Sequence, residues 1–154
     1  PGSNILSPRG TGGIGWSLPA ALGAKLAAPD APVICITGDG AFGYVMAELE
    51  TAARGNIPVV VVVLNNATLG FQRHFENKLF GKYGECDLSD IDHAALARVL
   101  GCDGERVTEP DAIGAALDRA LAAGGTYVID AVIDAEAMAP IIGLDDPVSV
   151  AQTH

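Results

Sequence analysis

Two apolar runs with no polar alternation dominate the pattern of this chain, Val33-Ile34-Cys35-Ile36-Thr37 and Val59-Val60-Val61-Val62-Val63-Leu64. A strand needs such a run when both of its faces are buried, which is the normal condition of a strand inside a parallel sheet. On this pattern strands are expected over residues 33–37, 58–64, 105–107 and 126–133. Apolar residues at helical spacing predict helices over 16–28, 44–53, 69 to about 79, 92–100 and 111–122. Ser17 is the expected N-cap of the first, with Pro19 tolerated in its opening turn, and Arg54-Gly55-Asn56 closes the second. Strands alternating with helices imply an α/β fold: a parallel sheet with helices on both faces and right-handed crossovers. From Ala135 the pattern lapses, and the tail 135–154 is expected to cover an edge of the domain or a partner.

Composition narrows the classes open to such a fold. With 154 residues, 49% of them hydrophobic, and a mean hydropathy of +0.32, the chain makes a single well-packed domain. Nine basic residues against nineteen acidic ones give a net charge of −10, which argues against nucleic acid or an anionic membrane as partner. The longest apolar run, 57–64, is far too short to span a bilayer, so no membrane role is expected. Cys35, Cys86 and Cys102 are widely spaced and form no CxxC pair; they read as buried thiols of a reducing compartment, and a cytoplasmic location is expected. The chain opens at Pro1 on a glycine-rich turn where an α/β domain would open on a strand, so a piece of a longer protein is expected.

Chemistry is concentrated where the two apolar runs end. Gly38-Asp39-Gly40 follows the first and Asn65-Asn66 the second, at the carboxyl edge where open α/β sheets take their ligands. A carboxylate, an amide oxygen and backbone carbonyls gathered there form the hard oxygen set that Mg²⁺ prefers. The turn Gly40-Ala41-Phe42 opens a helix, whose free N–H groups and positive dipole end suit an anion. The one basic residue between Asp39 and Asn66 is Arg54, so a phosphate here would be met by a divalent ion and backbone N–H groups and not by the lysine cradle of a P-loop. A rival fingerprint, Gly10-x-Gly12-Gly13-x-Gly15, matches the dinucleotide GxGxxG, but such a motif must follow a buried strand. Residues 4–9 are too short and too broken by proline to be one, and a nucleotide-binding module would leave Asn65-Asn66 without a role. Each motif taken singly is also an ordinary turn.

Spacing joins them. Asp39 and Asn66 are 66 − 39 = 27 residues apart, one helix and one strand, and this GDG…NN arrangement resembles the thiamine diphosphate motif of the superfamily of acetolactate synthase, benzoylformate decarboxylase and pyruvate decarboxylase. The likeness runs from GTGGIGWSLPAALGA through VICITGDGAFGYVMAELETA and NIPVVVVVLNNATLG to TYVIDAVID, and it fits that superfamily's C-terminal diphosphate-binding (PP) domain. The resemblance implies that Asp39, the side chain of Asn66 and the carbonyl of Thr68 ligate Mg²⁺, that Gly38 is among the cofactor-binding residues, and that Gly40, Ala41, Leu69 and Gly70 hold the diphosphate at two helix N-termini. It further implies that the Gly12 carbonyl meets the aminopyrimidine and that Ile14 props the bent cofactor. Phe71, Gln72 and Phe75 are substrate-pocket candidates by position, although an aromatic pair at i, i+4 also suits a core. His74, His93 and His154 share no metal-ligand spacing and receive no role, and Glu48 is expected to serve packing or an interface.

The implied activity is decarboxylation of a 2-oxo acid, with carboligation to a second carbonyl compound in an acetolactate synthase-like enzyme. The implied partner is the pyrimidine-binding (PYR) domain of another subunit in a homo-oligomer. That domain carries the activating glutamate, so this chain alone is expected to be inactive. The alternatives are the nucleotide-binding module and a non-catalytic assembly domain of the same fold.

Overall fold

The computed structural model describes residues 4–8 and 12–137. The expected tail beyond 137, His154 and Gly10 of the glycine motif lie outside them. Four strands form one sheet: β1 (Ile34–Gly38), β2 (Val60–Asn65), β3 (Asp103–Val107) and β4 (Tyr127–Val132), in the order β1-β2-β4-β3 and parallel throughout. Each lies within two residues of its expected start, but among the described residues only β2 and β4 lie inside the sheet; β1, expected to be buried on both faces, is at an edge and buried on one.

Helices α1 (Ser17–Ala27), α3 (Glu48–Gly55) and α5 (His93–Val99) pack with Phe42 on one face of the sheet. There Leu18, Leu22, Leu49, Ala52 and Ala97 close over Cys35, Val61, Val63 and Val128. The other face is covered by α6 (Ile113–Ala122), whose Ala116 and Ala120 lie on Val60, Val62, Ile129 and Ala131. Helices thus lie on both faces, but unequally: β1 pairs only with β2 among the described residues, and on the α6 side Ile34, Ile36 and Leu64 remain exposed.

Three local expectations need correction. Ser17 is not the cap of α1; Trp16 occupies that position in a helical conformation without a side-chain hydrogen bond, so α1 begins as a continuation of the preceding turn. The expected helix over 44–53 starts only at Glu48, as α3; residues 44–47 are turns that follow a separate short helix, α2 (Asp39–Gly43), and Val45, Glu48, Leu49 and Glu50 each donate to the carbonyl three residues back. Finally, α4 (Gly70–Phe80) buries no residue at all, so the stacked pair Phe71 and Phe75 is not core. Other endings follow expectation. Asn56, at φ 49°, closes α3, and Asp92 caps α5 by accepting from the Ala95 N–H at 2.8 Å.

Phe42 is 0% exposed and Ile36 is 65% exposed, which sets up a direct comparison. Phe42→Ala should lower unfolding free energy by about 3–5 kcal/mol. Ile36→Thr, a swap of one β-branched residue for another at an open site, should stay within about 0.5 kcal/mol. Urea denaturation of both variants measures this, and a small loss for Phe42→Ala would contradict its place in the core.

Candidate functional site

The register of β1 on β2 pairs Gly38 with Leu64, so Asp39 and Asn65-Asn66 leave adjacent strands at the same level. Asp39 is the first residue of α2 and 7% exposed. Its Oδ1 accepts from the Gly40 N–H at 2.8 Å, and among the described residues nothing donates to its second oxygen. The chain then touches itself across the two loops. A Cβ placed on Gly40 would lie 2.6 Å from Leu69 Cδ2, and one placed on Gly70 would lie 3.1 Å from Asn66 Nδ2.

The segment 65–70 is held firmly. Asn66 Oδ1 accepts from the Thr68 N–H at 3.3 Å, and Ala67 takes the left-handed conformation at φ 52°. An antiparallel bridge joins Thr68 to Asp87, with Leu69 N–H donating to Cys86 O at 2.8 Å and Leu88 N–H to Ala67 O at 2.7 Å. Thr68 adds its hydroxyl, donating to the same Cys86 carbonyl at 3.0 Å. The Thr68 carbonyl takes no backbone hydrogen bond among the described residues. Burial pushes the Cys86 thiol up, and the negative charge of Glu76 adds to that.

The glycine turn joins the same place. Gly15, at φ 81°, lies against α2 closely enough that a Cβ there would come 3.1 Å from Tyr44 Cβ and 3.3 Å from Val45 Cγ1. Ile14 beside it is 58% exposed, and Gly12 takes φ 63° with open space where a side chain would stand. Residues 4–8 form no strand, which removes the context that a dinucleotide fingerprint requires.

Of the residues singled out on sequence grounds, Gly38, Asp39, Gly40, Ala41, Asn66, Thr68, Leu69 and Gly70 therefore stand on two touching loops, with Gly12 and Ile14 on the turn packed beside them. Two of the expected phosphate donors are already engaged, Gly40 N–H on Asp39 and Leu69 N–H on Cys86. That leaves the Ala41 and Gly70 N–H groups, at the open ends of α2 and α4, as the better pair of the four. Phe71, Gln72 and Phe75 lie on the exposed first turns of α4, where Gln72 donates to Glu76 at 2.8 Å. No three His, Cys, Asp or Glu side chains converge among the described residues, so a cation here would rest on one carboxylate, an amide and carbonyls. These donors fit Mg²⁺, a hard ion that keeps water and phosphate oxygens in its shell.

Three residues carry more than their sequence context suggested. Asn65 and Asp130 are buried and bonded to each other at 2.9 Å directly beneath the loop. His93 packs edge-on against Phe42 with ring centroids 5.3 Å apart, its Nδ1 buried and without a partner. The available signal was a charged residue inside the apolar run Tyr127-Val128-Ile129-Asp130-Ala131-Val132, since such a residue is tolerated only where it is bonded.

Comparison with known proteins gives a consistent set of relatives. The family described as thiamine pyrophosphate enzyme, C-terminal TPP binding domain, matches residues 1–131. The large subunit of acetolactate synthase isozyme 2 of Escherichia coli is 38% identical over 133 residues, covering 85% of this chain and 24% of that protein. A probable acetolactate synthase large subunit of Methanococcus aeolicus is 40% identical over 134 residues, covering 85% of this chain and 22% of its own. Among solved structures, a thiamine diphosphate-dependent 4-hydroxybenzoylformate decarboxylase of Rhodococcus jostii superposes with a TM-score of 0.74 at 39% identity, over 80% of this chain and 23% of that one. The chain thus spans about a quarter of the length of each of these relatives.

The packing of the glycine turn on α2 can be tested apart from any ligand. Gly15→Ala forces a side chain into a left-handed residue pressed on Tyr44 and should destabilise by more than about 1 kcal/mol. Gly23→Ala, inside α1 with open space around it, should stabilise by about 0.5–1 kcal/mol. Denaturation midpoints of the two variants should move in opposite directions.

Proposed function

We propose that this chain, which belongs to the thiamine pyrophosphate enzymes as their C-terminal TPP-binding domain, anchors thiamine diphosphate through Mg²⁺ at the shared carboxyl edge of β1 and β2. In that role it supplies half of an active site that decarboxylates a 2-oxo acid. The observation that carries the reading is the contact of the two loops: a carboxylate with one free oxygen, an amide oxygen and an unbonded backbone carbonyl lie on segments that touch. When bound, the cofactor supplies the electron sink that lets a 2-oxo acid lose CO₂. The residues of this chain bind and orient it. Asp39, Asn66 and the Thr68 carbonyl hold the cation, which neutralises the diphosphate where no basic side chain does. Arg54 is paired with Glu50 at 2.9 Å, and Arg73 with Glu136 at 2.6 Å while stacking over Tyr83. The open N-termini of α2 and α4 hold phosphate oxygens through Ala41 and Gly70. Gly12 offers its carbonyl to the aminopyrimidine, and Ile14, exposed and next to the rigid Gly15 contact, supports the cofactor's bend.

The substrate side is proposed at the first turns of α4, where Phe71, at 64% exposure, Gln72 and Phe75 stand free of the core. We propose an acetolactate synthase-like reaction, in which decarboxylation is followed by ligation to a second carbonyl compound; the names of the two curated relatives support this. The name of the solved decarboxylase supports the simpler outcome without ligation. Tyr44, Phe71, Leu79 and Phe80 are exposed, which supports contact with the PYR domain of another subunit in a homo-oligomer, which would bring the activating glutamate. By itself the chain would then be a PP domain without turnover. Three free, buried cysteines accord with the reducing cytoplasm proposed for it.

Asp39→Asn should abolish Mg²⁺-dependent binding of thiamine diphosphate while leaving the melting temperature near that of the wild type, because Asp39 contributes a charge to the site and little to the core. Titration calorimetry with Mg²⁺ present and absent measures it. Wild-type affinity in the variant would show that the cation is held elsewhere.

A further inference from the structure

Asp130 stands in the middle of β4 at 0% exposure, among residues that are otherwise apolar. A carboxylate so placed is stable only if its oxygens are bonded. Oδ1 accepts from Asn65 Nδ2 at 2.9 Å, and Oδ2 accepts from the His93 N–H at 3.1 Å and faces Arg106 Nε at 3.6 Å. The second N–H of the Asn65 amide donates to Ile91 O at 3.0 Å, and its Oδ1 accepts from the Ala67 N–H at 3.2 Å. Both donors of that amide and one acceptor position of its oxygen are therefore assigned. Turning it over would set its oxygen against the Asp130 carboxylate and the Ile91 carbonyl, and its N–H groups against the Ala67 N–H.

This orientation matters because Ala67 is a non-glycine residue in the left-handed region, a conformation that persists only where surrounding structure imposes it. The imposed turn is the one from which Asn66 and Thr68 project. We propose that Asp130 is a positioning residue for the cation site. It fixes the Asn65 amide, the amide holds Ala67 in its left-handed conformation, and Ala67 sets the directions of the Asn66 side chain and the Thr68 carbonyl relative to Asp39. The inference rests on the cofactor-binding reading above and adds a residue that touches neither cation nor diphosphate.

The experiment uses the full chain with thiamine diphosphate in excess and Mn²⁺ as the spectroscopic probe for Mg²⁺, free Mn²⁺ being followed by electron paramagnetic resonance. Absence of any Asp39-dependent Mn²⁺ binding in the wild type would overturn the functional reading, and this inference with it. Given wild-type binding, Asp130→Asn should weaken Mn²⁺ affinity by about tenfold, the usual scale for groups that orient a ligand. Asn65→Ala should do the same, and the double variant should be no worse than either single one, because both break one link. Ile129→Ala, on the neighbouring residue but the opposite sheet face, should lower the melting temperature at least as much and leave Mn²⁺ affinity unchanged. Because Asp130→Asn could fail to fold, the link is also read from its other end. Glycine takes a positive φ unaided, so Ala67→Gly should restore affinity to Asn65→Ala. Wild-type affinity in a folded Asp130→Asn protein, an equal affinity loss in Ile129→Ala, or no rescue by Ala67→Gly would each overturn the proposal.

Discussion

Everything at the carboxyl edge depends on one constraint, the parallel register that pairs Gly38 of β1 with Leu64 of β2. Parallel strands end on the same side of a sheet, so two polar residues that are one helix and one strand apart in sequence emerge side by side. A slip of β2 by one residue would turn Asn65 to the α6 face and take Val61 and Val63 from under α1 and α3. The apolar core on both faces of β2 therefore fixes the geometry of the polar site, and stability and ligand geometry are set by the same residues.

The balance of charge gives that geometry its purpose. The chain carries a net charge of −10, and Arg54 and Arg73 are committed to carboxylates, to Glu50 and Glu136. An anionic ligand would meet a repulsive background unless a divalent ion and oriented N–H groups offset it locally. Two of the N–H groups near the site instead rigidify the loops, with Gly40 holding Asp39 and Leu69 holding the bridge to Cys86. Donors used to fix a carboxylate in place help to prepare an ion site, since the ligand oxygens need not be ordered at the moment of binding.

Most of the fold could be read in the sequence because burial leaves a one-dimensional trace: apolar runs marked β1 and β2, and the strand ends marked the site. What could not be read depended on contacts between distant segments. The use of the Leu69 N–H depends on Cys86, seventeen residues away, and that of the Asn65 amide on Asp130, sixty-five residues away. Asp130 itself was visible as a charge in an apolar strand, but its partners were not. Phe71 and Phe75 illustrate the opposite limit. An aromatic pair at i, i+4 fits a core or a binding surface equally well in sequence, and only the exposure of α4 decides between them.

The exposed residues explain why relatives with different reactions resemble this chain to a similar degree. On the proposed reading, its buried and tightly bonded parts, Asp39, the segment 65–70 and the Asn65–Asp130 tie beneath it, serve the diphosphate, the portion of the cofactor that is unchanged whatever bond is made or broken. Its open parts, Ile14, Tyr44 and the aromatic turns of α4, face what differs between enzymes: the substrate and the second domain. Anchoring demands fixed geometry and is built into the core, where a methylene is felt, whereas selectivity can vary on a surface that the core does not depend on. The choice of reaction would then be written on α4 and on the surface that meets it, and exchanging Phe71, Gln72 and Phe75 should alter which 2-oxo acid is used without disturbing the hold on the cofactor.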